Sequence, residues 1–328
     1  MNQLSAVTPV VGIVIVSYNT CALLRDCLRS TARPELPANV VVVDNASEDG
    51  STDMVGRDFP HVELIRNAEN CGFAVATNQG LRAVLQRCSF ILLLNPDAVL
   101  QDGALEAMVA FMQAHPRVGV CGGRLLYPDG RPQHGAFRFP TLLMALFDLV
   151  PPRGPLLGRL QDSFLNGRYR EEQGPEPFPI DHPLGATMLI RREALAEVGC
   201  FDEDYWMYAE EVDWCFRCRR AGWAIWQVPA ARVAHVGGAS SAQFRGRSLV
   251  ALHRSRLRFV VKWQTAGYRR WYRRVVRLGI CWTLLETWSA WARGRASTAE
   301  LRARLLAYGT ILRLLSDAET LVSSSESA

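Results

Sequence analysis

The sequence predicts an α/β fold in which a mainly parallel central sheet is flanked by helices and followed by a helical C-terminal extension. Three observations lead there. Over the first hundred residues, short β-branched and apolar runs alternate with stretches of helical period, the pattern of right-handed βαβ units in a doubly wound sheet. Several of those runs end in clusters of Ser, Asn or Asp. Beyond residue 240 the composition turns basic and aromatic, and the strand pattern stops.

Residues 10–16, Val-Val-Gly-Ile-Val-Ile-Val, form a continuous run of the kind expected for a strand buried on both faces. The run ends in Ser17-Tyr18-Asn19-Thr20, and a helix is expected from there to about Arg33. Residues 40–43 read as a second strand ending in Asp44-Asn45-Ala46-Ser47, residues 62–66 as a third, and residues 73–87 as a helix. A fourth strand, residues 90–94, ends in Asn95-Pro96-Asp97. Residues 105–114 read as a helix stopped at His115-Pro116, and residues 118–127 as a strand or hairpin turned by Pro128-Asp129-Gly130. Residues 131–180 carry no clear period. A small-residue turn at 181–186 then feeds a strand, a helix is expected over 210–221 with Gly222 closing it, and a strand over 223–228 precedes His235-Val236-Gly237-Gly238. Residues 246–315 read as helical, and residues 323–328 as disordered. The expected organisation is a nucleotide-binding half (1–128), a catalytic half of the same domain (129–240) and a basic extension (241–328).

Composition narrows the function classes. With 49% hydrophobic and 21% charged residues the chain is an ordinary globular protein. The first nine residues lack a charged n-region and an apolar h-region, so no secretory signal is expected, and no apolar run is long enough for a membrane span. Nine scattered cysteines read as reduced thiols of a cytosolic protein, and Cys215-x-x-Cys218 lacks the second pair that structural zinc needs. The net charge of +5 conceals an asymmetry: residues 245–304 hold fifteen Arg or Lys against Glu286 and Glu300.

In doubly wound sheets ligands bind at the carboxyl ends of the strands. Here those ends carry Ser17, Tyr18 and Asn19, then Asp44 and Asn45, then Asn95 and Asp97. Turns and helix caps explain any one cluster; three on one rim point to a nucleotide site, with an acid after the second strand placed for a ribose or base edge. No Gly-x-Gly-x-x-Gly follows the first strand, which argues against a dinucleotide-dependent oxidoreductase. A second concentration of acids, Glu210, Glu211 and Asp213, follows the aromatic run Tyr205-Trp206-Met207-Tyr208. Such crowding either complements a helix dipole or performs acid/base work beside a substrate.

Taken in order, Val16-Ser17-Tyr18-Asn19, Val43-Asp44-Asn45-Ala46-Ser47, Asn70-Cys71-Gly72-Phe73-Ala74 with Asn78 and Gly80, and Leu94-Asn95-Pro96-Asp97 resemble the successive motifs of family 2 glycosyltransferases, more narrowly the bacterial rhamnosyltransferase-like branch. The resemblance extends to residue 238. It implies the GT-A fold, a Rossmann-like nucleotide-diphospho-sugar transferase fold. It further implies donor contacts by Ser17, Tyr18, Asn19, Asp44, Asn70, Gly72, Phe73, Asn78, Asn95, Asp97, Gly185 and Ala186. A divalent metal, Mg2+ or Mn2+, is implied on Asp97 with His235; many family members have Asp-x-Asp where this chain has Asn95-Pro96-Asp97. The family's Glu-Asp pair aligns with Glu210-Glu211, which makes Glu211 the expected base and Asp213 the second candidate. Trp206, Tyr208 and Glu210 are expected on the acceptor side.

The implied function is inverting transfer of a sugar, L-rhamnose from dTDP-rhamnose, onto a hydroxyl of a glycan or lipid-linked saccharide in cell-surface polysaccharide synthesis. The alternatives are a UDP-sugar donor on the same fold, or a catalytically inactive nucleotide-sugar-binding scaffold. The run Arg269-Arg270-Trp271-Tyr272-Arg273-Arg274 has the composition of an interfacial helix on anionic lipid. The expected location is therefore cytoplasmic and peripheral at the inner face of the plasma membrane, with no nucleic-acid partner.

Overall fold

The structure, a computed structural model, describes residues 11–32, 36, 38–169, 174–238 and 245–317; the N-terminal lead, Ala239 and Ser240, and the stretch 323–328 lie outside them. The chain groups into two units. One comprises Met1–Phe137, Glu171–Asp204 and Glu210–Ser240, the other Arg138–Arg170, Tyr205–Ala209 and Ser241–Ala328.

The first unit is built on the expected mainly parallel sheet. Its centre is β1 (Val11–Ser17), paired in parallel with β2 (Ala38–Asp44) on one side and β4 (Phe90–Leu94) on the other, while β3 (Glu63–Arg66) extends β2 to the edge. Then β10 (Thr187–Arg191) runs antiparallel to both β4 and β6 (Val118–Leu126), so one reversed strand joins the two parallel sets. Beyond β6 lie β11 (Ala224–His235), parallel to it, and β5 (Ala98–Leu100), antiparallel to β11. Short pairings add β8 (Phe178–Pro179) to β11 and join β7 (Ala136–Phe137) to β9 (His182–Pro183). The helices of this unit are α1 (Cys21–Thr31), α2 (Ser51–Asp58), α3 (Phe73–Val84), α4 (Ala104–Ala114), α7 (Arg192–Val198) and α8 (Glu210–Arg220).

The apolar runs become strands for the expected reason: all five side chains of β4 are buried, and Val11, Ile13 and Ile15 of β1 and Val40 and Val42 of β2 pack into one core with Leu24, Leu28, Met108 and Met112. Gly80 decides how closely α3 can approach, because a Cβ there would lie 2.3 Å from Cγ1 of Val14. One boundary differs from the sequence reading. The strand expected to stop near Val228 continues as β11 to His235, passing a register shift between Val228 and Arg232. Pro229 falls in that irregular stretch, where a missing N–H is tolerated. His235 is therefore the last residue of a strand rather than part of the following turn.

The second unit contains α5 (Leu142–Leu149), α6 (Gly154–Leu157), α9 (Arg245–Trp263), α10 (Ala266–Ala292) and α11 (Thr298–Ser316). Sequence reasoning left residues 131–180 without elements, yet Leu-Leu-Met-Ala-Leu-Phe-Asp-Leu is a helix. Thr141 caps it, its hydroxyl accepting from the Met144 N–H at 3.2 Å. The unit's core gathers Leu149, Leu257, Val260, Tyr272, Val276, Ile280, Ile311 and Leu315. Thr265 and Ser297 cap α10 and α11 in the same way. Among the described residues no helix is long and apolar enough to cross a membrane.

Within α9, burial and the nearby Arg256 push the His253 pKa from 6.5 down to about 4. The folded chain thus resists a proton that the unfolded chain accepts first. Stability associated with this group is full above pH 6.5 and is lost as pH falls towards 4. The loss amounts to about 3 kcal/mol at most. Denaturant titrations at pH 7.5 and pH 4.5 should show a smaller acid loss for His253→Leu than for the wild type; equal losses would refute the burial argument.

Candidate active site

At the carboxyl end of the sheet the register places Ser17 beside Asp44. Both are buried, and the loops that follow them are tied together. The Asn19 N–H donates to Ser47 Oγ at 2.9 Å, the Glu48 N–H to Asn19 Oδ1 at 2.8 Å, and the Cys21 N–H to Asp49 Oδ2 at 2.7 Å. Asn19 and Ala46 accept positive φ angles of 49° and 67° to make these crossings. Asn45 then holds the next loop: its Nδ2 donates to Asn70 Oδ1 and to the Gly72 carbonyl, both at 3.1 Å, and its Oδ1 accepts from Asn67 at 3.0 Å. Gly72, at φ 87°, turns the chain into α3, and Phe73, half-buried, is the helix's first residue. Tyr18 is half-buried beside this rim. Asp44 accepts the Ser47 N–H on Oδ1 at 2.9 Å. Its Oδ2 is buried and has no hydrogen-bond partner, and a buried carboxylate oxygen in that condition is poised for a donor from a ligand.

The end of β4 meets the end of β11 at a second buried carboxylate. Asp97 is 6% exposed. Its Oδ2 accepts the Gly237 N–H at 3.0 Å, and its Oδ1 faces Nε2 of His235 at 3.4 Å. The other ring nitrogen, Nδ1, donates to Oε1 of Gln133 at 2.8 Å, so the imidazole is oriented from behind. Nε2 has no hydrogen-bond partner and is buried. A carboxylate oxygen and an oriented imidazole nitrogen facing each other form a donor pair suited to a divalent cation, with Gln133 in the outer position that fixes the ring. Burial works to raise the Asp97 pKa, but the His235 contact and the Gly237 N–H outweigh it and hold the carboxyl below its ordinary value. Gln133 is the residue that sequence reasoning missed; it stands in a stretch without period or motif. Asn95 is held by its backbone, its N–H donating to the Ala186 carbonyl at 3.0 Å. Among the described residues no group of three His, Cys, Asp or Glu side chains is placed to hold a metal ion.

Gly185 and Ala186 lead into β10. A Cβ on Gly185 would sit 3.7 Å from Cγ of Glu211, so the glycine faces the Glu211 side chain at the start of α8. The three acids of that turn have separate environments. Glu210 is buried, and desolvation followed by repulsion from Glu211 drives its pKa well above the ordinary value. Asp213 is fully buried and receives Nε of Arg217 at 2.9 Å; Arg217 also donates to the carbonyls of Val198 and Cys200. That carboxylate is a structural anchor. Glu211, half-buried, is the least buried acid of the three, although its Oε2 is buried.

Asn78, expected among the donor contacts, makes hydrogen bonds within the chain. Its Nδ2 donates to the Phe201 carbonyl and to Glu203 Oε1, both at 2.9 Å, and its Oδ1 accepts the Phe201 N–H at 3.0 Å. Both amide N–H groups and the carbonyl thereby clamp α3 to the segment that leads towards α8. Trp206 and Tyr208 fall in the short segment grouped with the second unit. There Trp206 lines a cavity of about 580 Å³ with Arg247, Val250, Arg254 and Ala307, and the Met207 carbonyl accepts from Ser255 Oγ at 2.7 Å. Tyr208 and Ala209 both have positive φ, 71° and 62°. Two consecutive non-glycine residues in that region cost of order 1–3 kcal/mol each and mark a segment whose course is imposed.

A doubly wound half, a reversed strand and a helix headed by acids make the architecture of a glycosyltransferase. The chain belongs to glycosyl transferase family 2, whose family profile matches residues 12–199. It is 29% identical over 287 residues to the N-acetylglucosaminyl-diphospho-decaprenol L-rhamnosyltransferase of Mycobacterium tuberculosis, covering 84% of this chain and 90% of that one. It is 23% identical over 234 residues to the dTDP-rhamnosyl transferase RfbF of Shigella flexneri, covering 71% of each. Among solved structures, the mannosyltransferase PcManGT from Pyrobaculum calidifontis, in complex with GDP-Man and Mn2+, superposes with a TM-score of 0.55 at 19% identity, over 97% of this chain and 84% of that one.

The clamp assigned to Asn78 has a direct test. Asn78→Ala leaves the Phe201 amide and carbonyl without their partners and should lower the unfolding free energy by about 2–3 kcal/mol. If stability is unchanged in denaturant titrations while nucleotide affinity falls, Asn78 is a donor contact after all.

Proposed function

We propose that this glycosyltransferase moves L-rhamnose from dTDP-L-rhamnose, with inversion, onto a hydroxyl of a lipid-linked saccharide during synthesis of a cell-surface polysaccharide. The observation that carries the reading is the pair Asp97 and His235, an oriented donor set at the carboxyl end of the sheet on the same rim as the unpartnered oxygen of Asp44. The rhamnosyl donor and the lipid-linked acceptor are supported by the two rhamnosyltransferase relatives.

In this reading Asp44 takes a donor group of the base or ribose on its free oxygen. Ser17, Tyr18, Asn19, Asn70, Gly72 and Phe73 shape the nucleotide pocket, and Asn95, Gly185 and Ala186 border the sugar. Asp97 and His235 hold Mg2+ or Mn2+, which when bound neutralises the leaving diphosphate. Glu211 takes the proton from the attacking hydroxyl. Glu210, beside it, is buried, and desolvation together with the neighbouring Glu211 raises its pKa well above the ordinary value. Asp213, the second candidate, is less suited to be the base in this reading, since it is buried and its Oδ2 accepts from Arg217. Trp206 and Tyr208 offer ring faces to the acceptor. The enzyme works peripherally at the inner membrane surface, where a lipid-linked acceptor is displayed.

Two variants separate these roles. Glu211→Gln should lower kcat by about 10²- to 10⁴-fold while donor affinity, read by thermal shift with dTDP-rhamnose, changes less than about threefold. His235→Ala should raise the Mn2+ concentration needed for half-maximal activity by about tenfold or more. Full turnover in Glu211→Gln would overturn the base assignment, and an unchanged metal requirement in His235→Ala would remove the histidine from the metal site. A thermal-shift series with UDP-sugars and GDP-sugars in place of dTDP-rhamnose tests the donor.

A further inference from the structure

The longest helix of the second unit has two faces. Tyr272, Val276, Gly279, Ile280 and Thr287 of α10 are buried, with Gly279 against Leu149. The opposite face carries large apolar side chains that no described residue covers: Trp271 is 57% exposed, Leu278 71%, Trp282 50% and Leu285 62%. Intervals of seven, four and three residues stack these four on one helical stripe. Trp288, also exposed, lies beside it. Ordinary surfaces show such residues singly; a contiguous row marks an interaction site.

The charges beside the stripe say what covers it. Arg270, Arg274 and Arg277 are exposed on the same side of α10, and Arg274 stacks over the Trp271 ring at 5.1 Å. None of the three forms an ion pair with a described carboxylate. The sole acid of the helix, Glu286, is taken by Arg153 at 2.6 Å. A second copy packed symmetrically on this stripe would set arginine against arginine, with no carboxylate to separate them. An anionic lipid surface satisfies both halves of the face: phosphates meet the guanidiniums, and the Trp and Leu side chains enter the acyl boundary. The helix, 27 residues long, fails the requirements for crossing a bilayer, and its large polar share fits a helix lying in the interface plane.

We propose that the outward face of α10 docks the enzyme in-plane on anionic membrane, with Trp271, Leu278, Trp282 and Leu285 as the inserted row and Arg270, Arg274 and Arg277 as the phosphate contacts. The proposal deepens the peripheral-membrane part of the reading above and is independent of which sugar is transferred.

The test uses the full chain and extruded vesicles of phosphatidylcholine, with or without 30 mol% phosphatidylglycerol as the probe composition. The wild type should sediment with anionic vesicles, bind neutral ones at least about tenfold more weakly, and lose binding as salt rises. Lipids brominated near the top of the acyl chain should quench its tryptophan fluorescence. W271S/L278S/W282S/L285S and, separately, R270Q/R274Q/R277Q should each weaken anionic-vesicle binding by about tenfold or more. Both variants should keep the thermal shift with dTDP-rhamnose that the wild type shows, so a failure of docking is distinguishable from a failure of the donor assignment. Absence of wild-type binding, or unchanged binding in the fourfold variant, overturns the proposal. So does a wild-type dimer that the fourfold variant converts to monomer, because the stripe would then be a protein interface.

Discussion

Burying a carboxylate is the constraint around which the first unit is arranged. Asp97 stands at the end of β4 with little access to water, and an isolated charge there would be expelled or neutralised. What keeps it ionised comes from the other end of the sequence: the Gly237 amide and the ring of His235. For these to arrive, β11 must continue past Pro229 and pair with β5 as far as Ala98 and His235. The sheet order therefore follows from the site as much as the site from the sheet. The same logic operates less completely at Asp44, where one oxygen is satisfied by the Ser47 amide and the other is left for something not part of the chain.

Much of this was legible in the sequence because it rests on local pattern. Residues 10–16, 40–43 and 90–94 are apolar without interruption, and a strand buried on both faces needs that; their polar ends named Ser17, Asp44 and Asp97 directly. What was not legible depends on partners far away in the chain. The continuation of β11 was hidden by Pro229, which by local rules ends a strand and here sits in a register shift. Helix α5 was hidden because Leu-Leu-Met-Ala-Leu-Phe is apolar almost throughout and so shows no period, while its core partners are more than a hundred residues away on α9 and α10. Gln133 carries no signal of its own; only the position of His235 gives it a task. Asn78 entered as a donor contact through the family resemblance; its three hydrogen bonds to Phe201 and Glu203, over 120 residues away, carry no local signal.

The acids that crowd the start of α8 illustrate how burial differentiates identical chemistry. Glu210, Glu211 and Asp213 lie within one helical turn, and by sequence all three complement the helix dipole equally. The fold gives Asp213 a guanidinium that is itself tied to two carbonyls, so its charge is consumed in holding α8 against residues 198–200. It buries Glu210 beside Glu211, and desolvation followed by repulsion from that neighbour raises the Glu210 pKa. Glu211 is the least buried of the three and lies across from Gly185, whose missing side chain leaves room.

That division of labour bears on the two departures from the family's usual motifs. Asn95 stands where the family commonly has a carboxylate, which leaves one acid fewer near Asp97; Glu211 stands where Asp is common, which keeps a carboxyl group and adds one methylene. An oriented imidazole facing a buried aspartate, and a glutamate buried beside another at the start of α8, each cost stability when they serve nothing. The backbone carries a matching cost at Tyr208 and Ala209, both at positive φ immediately before Glu210. A chain that needed only a scaffold would place glycine at such positions and recover of order 1 kcal/mol at each. The retention of strain where the acids begin argues for an active enzyme over a binding scaffold.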